Sequence, residues 1–353
     1  MVHLILGLNA LLALIGKNKK RLMIPFAGLF VFAALRYDFG NDYSSYLRWF
    51  NYIKSTGHSP FKTQILFTYL NEISPSFLFM IAFTSAVFLV SVYFLIRNNV
   101  SDEFVGISFL IFVINPYLFL MNLSSIRQSI ATSLFILSIY FAKNKKLILY
   151  VILICCAALF HKSAIVLLPV FLIANEKPVK NWHIVAVVCV ILFLLFSPSK
   201  VNELTSMFLE YFNDKTYTAY INGSKWETNS LRATLLSSLY LVYIFINIKK
   251  LRGSTLLYSK LYSIAIIFAI MAYKIPMATR FQMYFDLFSL VALPGIIETN
   301  LKNEKSDRIS ILINVYVFPL LLLVIYILRY YSFFVNPLWE KFTEYKTIFG
   351  AFK

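Results

Sequence analysis

The feature that most constrains this chain is the recurrence of long apolar runs broken by short basic clusters. About 20 apolar residues cross a bilayer as a helix, and runs approaching that length lie near 2–16, 22–36, 77–96, 104–121, 126–142, 147–160, 163–174, 183–197, 232–247, 261–275, 281–297 and 309–328. The reading is an all-α, polytopic integral membrane protein with about twelve transmembrane helices. Composition agrees: 59% of the 353 residues are hydrophobic and only 14% are charged, against roughly 45–50% and about 25% in soluble domains. The first run lacks a basic start and a small-residue cleavage site, so it reads as a retained helix and not a signal peptide.

A net charge of +17 could suggest nucleic acid as a partner. The basic residues instead gather between apolar runs: Lys17–Arg21, Arg97, Lys143–Lys146, Lys177 with Lys180, Lys249–Arg252 with Lys260, and Lys302 with Lys305 and Arg308. They fall on one side only if 147–174 crosses twice, and the positive-inside rule makes that side cytoplasmic. Both termini are then outside and nucleic acid is not expected. Residues 1–353 read as one transmembrane domain with outer loops at about 36–76 and 198–231 and an outer tail from Arg329. Cys155, Cys156 and Cys189 lie in apolar runs, with neither a disulfide framework nor metal-type spacing.

Charge on the outer side needs another reason. Arg127 follows Ser125-Ile126 and Arg280 follows Ala278-Thr279, and the pairs Ser125/Gln128 and Thr279/Gln282 have capping-box spacing. Each arginine would sit in the first turn of a helix, where exposed N–H groups and the dipole favour an anion. A phosphate would reconcile the two; snorkelling to head groups, or pairing with Asp286 or Glu72, is the plainer reading. His161 falls in the tightest outer turn, beside Lys162 and Ser163, where it can hold a phosphate or carry a proton.

The segment Ala34-Leu35-Arg36-Tyr37-Asp38-Phe39-Gly40-Asn41-Asp42-Tyr43 puts two carboxylates where a hydrophobic run stops. Two readings stay open: Asp38 paired with Arg36 at a solvated loop start, or Asp38 or Asp42 as a base for a sugar hydroxyl, with Tyr37, Tyr43 and Tyr46 as stacking platforms. Asn115-Pro116 and Pro169 interrupt spans, as packed kinks or at the wall of a cavity. Val201, Leu204, Met207, Phe208, Tyr211 and Phe212, and again Trp339, Phe342, Tyr345 and Phe349, recur at helical spacing and read as interfacial anchors. The chain has no Gly-rich loop ending in Lys-Ser/Thr, no Gly-x-Ser-x-Gly and no His-Glu-x-x-His. Chemistry here requires an already activated substrate.

Together, Leu35-Arg36-Tyr37-Asp38-Phe39-Gly40-Asn41-Asp42-Tyr43, Asn115-Pro116, Ile126-Arg127-Gln128-Ser129-Ile130-Ala131, Phe160-His161-Lys162-Ser163-Ala164 and Thr279-Arg280-Phe281 with Tyr284-Phe285 resemble the EpsG-like branch of bacterial polysaccharide polymerases, which includes many Wzy O-antigen polymerases. The resemblance implies a GT-C-like membrane glycosyltransferase in the inner membrane with its active site facing the periplasm. It implies a glycan on undecaprenyl diphosphate as donor and a lipid-linked repeat unit as acceptor, with membrane lipid around them and a chain-length regulator as a possible neighbour. Arg127 and Arg280 would hold the diphosphate with His161 as third contact or proton carrier, while Arg36 would orient the loop or touch the acceptor diphosphate. Asp38 or Asp42 would be the base, and Gln128, Tyr43 and Tyr284 would support the site. No cofactor is expected. A divalent metal on Asp38 and Asp42 is the variant reading, and a lipid-linked glycan flippase or an O-antigen ligase is the rival function.

Overall fold

A computed structural model describes residues 1–16, 18–58, 60, 63–181, 184–185, 189, 203, 230–273, 275, 277–303 and 308–350. The expected span at 183–197 and the amphipathic segment in 198–231 therefore lie outside the described residues, apart from isolated positions.

The described chain is mostly helical: α1 (Val2–Ile15), α2 (Met23–Ala34), α3 (Tyr43–Thr56), α4 (Ile65–Ile73), α5 (Phe77–Asn99), α6 (Val105–Ile114), α7 (Leu120–Ser124), α8 (Ile126–Lys143), α9 (Leu147–Phe160), a 3-10 helix at Lys162–Leu172, α10 (Leu231–Asn247), α11 (Gly253–Met271), α12 (Ala278–Asp286), α13 (Ser289–Leu301) and α14 (Arg308–Val335). Two short strands, β1 (Arg36–Tyr37) and β2 (Lys346–Thr347), pair antiparallel. Local chemistry sets several boundaries. Ser76 Oγ accepts from the Phe79 N–H at the start of α5, and Ser230 Oγ accepts from the Ala233 N–H at the start of α10. Gly57, at φ 65°, closes α3 in the left-handed conformation.

Among the described residues, only α5, α11 and α14 are long and apolar enough to cross a membrane singly; α12 and α13, bent by 53° at their junction, make a fourth as a broken pair. Not all of the about twelve spans expected from the sequence correspond to helices of spanning length among the described residues, because several apolar runs stop early. A 14-residue helix such as α1 or α9 rises only about 21 Å at 1.5 Å per residue. Asn115-Pro116 ends α6, and the run 163–174 is a 3-10 helix around Pro169, which has no N–H to donate. Tyr150 Oη donates to the Leu167 carbonyl within that turn at 2.5 Å. Conversely, α14 continues to Val335, so Arg329 belongs to a helix and not to a tail. Its first turns include a π-helical stretch, Leu312–Val317, where Tyr243 Oη donates to the Asn314 carbonyl.

The basic clusters do gather at one end. Lys143 pairs with Glu176 at 2.7 Å and donates to Ser254, Lys260 reaches Asn175 and the Lys177 carbonyl, and Lys250 reaches Asn300 and Ser310. At the opposite end, α3 and α4 lie in the 36–76 loop, and the chain after α14 folds back over that loop's start. Gly40 N–H donates to the Lys341 carbonyl, Asn41 to the Leu338 carbonyl, and Ile348 N–H to the Leu35 carbonyl. Three of the four tail aromatics are thus core, not interfacial anchors. Trp339 stacks on Phe333, Phe342 is fully buried against Phe39, and Tyr345 stacks on Phe32 at 4.3 Å while donating to its carbonyl. Phe349 alone stays exposed.

Candidate functional site

The loop after α2 is fixed from below by Arg36. Its side chain is 1% exposed and donates to the Ala33 carbonyl, to Ser85 Oγ at 2.8 Å and to the Leu123 carbonyl at 3.0 Å. Its Nε and the Oδ1 of Asn122 have no protein partner, and both residues line a cavity of about 10 Å³, room for one water. A guanidinium held this way ties the end of α2 to α5 and α7. Of the two roles open to Arg36, this geometry supports loop orientation.

The loop it carries splits the two aspartates. Asp38, in the left-handed region at φ 44°, forms a 2.6 Å ion pair with Lys341 of the tail instead of pairing with Arg36. Asp42 turns inward to α7: its N–H donates to Ser124 Oγ at 3.1 Å, and that hydroxyl donates to Asp42 Oδ2 at 3.4 Å. Asp42 reaches solvent yet is walled closely enough that burial pushes its carboxyl above the usual range, opposed by Arg127, the Ser124 hydroxyl and Arg280.

Arg127 stands in the first turn of α8 and Arg280 in the first turn of α12, as the sequence suggested, but neither capping box forms. Ser125 makes no side-chain cap, the N-cap of α12 is Met277 in place of Thr279, and both glutamines are used elsewhere. Gln282 donates to Asp286, four residues on. Gln128 Nε2 donates to the Arg280 carbonyl at 2.6 Å and so ties the two arginine-bearing turns together. Spacing in the sequence could not supply this link.

Arg127 is also held from the 36–76 loop. Nη1 donates to Gln64 Oε1 at 2.7 Å, Nε and the backbone N–H approach Tyr46 Oη at 3.4 and 3.3 Å, and the guanidinium lies over Trp49 at 4.9 Å, with Tyr46 and Phe67 each at 5.8 Å. Tyr46 is therefore a buried prop for Arg127 and not a stacking platform. Tyr43 is buried as well, against Phe77, and only Tyr37 of the three stays exposed. Gln64 and Trp49 escape sequence reading because their link to Arg127 depends on how α3 and α4 fold over α8.

His161 ends α9 and is 7% exposed, with no hydrogen-bond partner on either ring nitrogen. Burial first, then the positive charges of Arg127, Arg280 and Lys162, hold its pKa well below the usual histidine value, so the ring is neutral. Ser163 and Tyr284 share a 2.9 Å hydroxyl contact that braces the 3-10 helix against α12. Asp42, Arg127, His161, Lys162 and Arg280 thus form one electrostatic cluster built from four chain segments, with Arg36 beneath it and Asp38 at its rim. Lys162 also belongs to it, shifted down by burial and by Arg280.

Among the described residues no group of three or more His, Cys, Asp or Glu side chains is placed to hold a metal ion. The carboxylates of Asp38 and Asp42 face different partners, Lys341 and Ser124, so as they stand they do not form the paired oxygen site of the metal variant.

The model of the EpsG family matches residues 20–347, from just before α2 through β2. The chain belongs to the EpsG family. The family is of the polysaccharide-polymerase type, with glycosyltransferase-like chemistry, so this is a membrane protein of polysaccharide biosynthesis. No curated protein and no solved structure matches it.

Proposed function

We propose that the protein polymerises oligosaccharide repeat units carried on undecaprenyl diphosphate, building O-antigen or a related surface polysaccharide. The observation that carries the reading is the pair of first-turn arginines, Arg127 and Arg280, joined through Gln128 around a buried histidine with two unpartnered nitrogens. Preorganised donors of this kind suit a leaving group on which negative charge gathers. In the proposed step an acceptor sugar hydroxyl attacks the donor's anomeric carbon, and the bond from that carbon to the phosphate oxygen breaks with its electron pair going to undecaprenyl diphosphate. The hydroxyl proton passes to Asp42, which faces the arginines, while Asp38 and Lys341 keep the loop in place. Neutral His161 donates its N–H to a phosphate oxygen, and Tyr284 and Tyr43 support the walls.

The same proposal places the basic end in the cytoplasm and the cluster at the periplasmic face of the bacterial inner membrane. It counts the shorter apolar helices as crossings, giving about twelve in a GT-C-like architecture. The partners are lipid-linked glycan, membrane lipid and a chain-length regulator in the same membrane.

The test is a gel of surface glycan from a deletion strain, complemented with wild type, Arg127→Ala, Arg280→Ala or His161→Ala at matched protein levels. A single repeat unit in place of the ladder, unrestored by the arginine variants, is expected. Loss of even the single unit would point to a flippase or ligase, and an unchanged ladder would refute the reading.

A further inference from the structure

Asp42 breaks a local rule. It is the N-cap of α3, with its carbonyl accepting from the Tyr46 N–H at 2.9 Å, and aspartate is favoured at that position because its carboxylate can take the free N–H groups of the first turn. Here the carboxylate makes no such cap. It turns away from its own helix to Ser124, the last residue of α7, whose hydroxyl accepts from the Asp42 N–H at 3.1 Å and donates to Oδ2 at 3.4 Å. Local preference is given up in folded proteins chiefly at functional or strained sites.

Ser124 is built in firmly enough to enforce that departure. It is 3% exposed, and the chain at Gly40 passes so close that a Cβ there would meet Ser124 Cβ, Cα and Oγ at 3.3, 3.4 and 3.4 Å. The residue before it is pinned as well, since Arg36 donates to the Leu123 carbonyl at 3.0 Å. One non-helical residue, Ser125 at φ −86° and ψ 60°, separates α7 from α8, whose first turn carries Arg127. Ser124 therefore holds Asp42 through its side chain and is tied to Arg127 through three residues of backbone.

The acceptor hydroxyl and the leaving diphosphate meet at one anomeric carbon, so the base and the arginines need a common frame; a misplacement of about 1 Å can cost about a hundredfold in rate. We propose that Ser124 is a positioning residue for glycosyl transfer, its hydroxyl holding the Asp42 carboxylate off the start of α3 and in register with Arg127. This rests on the reading of Asp42 as proton acceptor. The acceptor's proton passes to Asp42, and Ser124 keeps its own throughout. Without the hydroxyl, the carboxylate is free to cap the N–H groups of Ser44 or Ser45, where an N-cap aspartate ordinarily bonds. The loss then falls on rate and not on the fold.

The substrate for the test is the lipid-linked repeat unit extracted from the deletion strain, supplied to the purified full chain in nanodiscs, with polymer formation followed over a range of concentrations. Ser124→Ala is expected to lower kcat at least about tenfold, as for loss of a hydrogen bond to a charged group, with KM within about twofold of wild type. On an Asp42→Asn background, where no base is left to aim, the same change is expected to cost less than about twofold. Ser138→Ala is the control for a lost buried hydroxyl: it deletes the bond to the Phe135 carbonyl further along α8 and should leave kcat and KM unchanged, while both alanine variants unfold alike in mixed micelles. The proposal is overturned if Ser124→Ala keeps kcat within about twofold of wild type, raises KM alone, or costs the same on both backgrounds, or if Asp42→Asn itself leaves the rate unchanged. Failure of the polymerase reading is seen separately, as an unchanged ladder in the deletion strain and no polymer from wild type, and the role of Ser124 falls with it.

Discussion

Replacing Gly40 by alanine tests how the 36–76 loop is seated. Gly40 has φ +96°, and a Cβ there would meet Cβ, Cα and Oγ of Ser124 at 3.3, 3.4 and 3.4 Å. The left-handed backbone costs an L-residue about 1–2 kcal/mol, offset by about 0.4–1 kcal/mol from the stiffer unfolded chain. Crowding against Ser124, which is 3% exposed and already bonded to Asp42, adds about 1–3 kcal/mol of overpacking. The net loss is about 1–5 kcal/mol, centred near 3 kcal/mol. Gly57 is the control, because it has φ +65° and nothing within 4 Å of its Cβ position, which leaves strain and offset alone, about 1 kcal/mol. Equilibrium unfolding in mixed micelles of rising SDS fraction measures both. Equal losses for Gly40→Ala and Gly57→Ala would show that the loop does not rest on Ser124 and would remove the reason for Asp42's position.

Tyr46→Phe removes the oxygen that Arg127 approaches with its N–H and Nε and leaves the ring, so polymer output should fall about tenfold, the worth of roughly one such bond, with stability nearly unchanged. His161 has a folded pKa below its unfolded value, so its contribution to stability is complete above the usual histidine pKa of about 6.5 and is lost as pH falls below it. Melting of the wild type should drop between pH 7 and 5 more steeply than that of His161→Gln; parallel curves would contradict a buried neutral ring. Asn247→Leu breaks the chain in which Asn300 donates to Asn247 and Asn247 to Asn314, at about 1–3 kcal/mol for each group left unpaired, measurable in the same micelles. Phe342→Ala should cost about 3–5 kcal/mol, whereas Lys341→Ala, breaking a largely exposed pair with Asp38, should cost under about 1 kcal/mol.

The membrane class, the basic end, and Arg127, Arg280 and His161 as candidates near one end were legible in the sequence, whereas Asp38 and Asp42 could not be told apart there. Apolar runs and clustered lysines follow from the solvent each segment meets, and an arginine beside a helix start is visible as a local pattern. What only the tertiary structure decided were long-range choices between equivalent partners. Gln128 had the spacing of a cap and instead bonds the Arg280 carbonyl, because α8 and α12 bring that acceptor within reach. Asp38 could have paired with Arg36, but the tail delivers Lys341, and Arg36 is drawn under the loop by Ser85 and Leu123. Helix length was misjudged for a related reason: hydropathy records where a residue is dry, and the interior of a bundle is as dry as lipid. Hydropathy by itself therefore does not show where a short helix such as α6 ends.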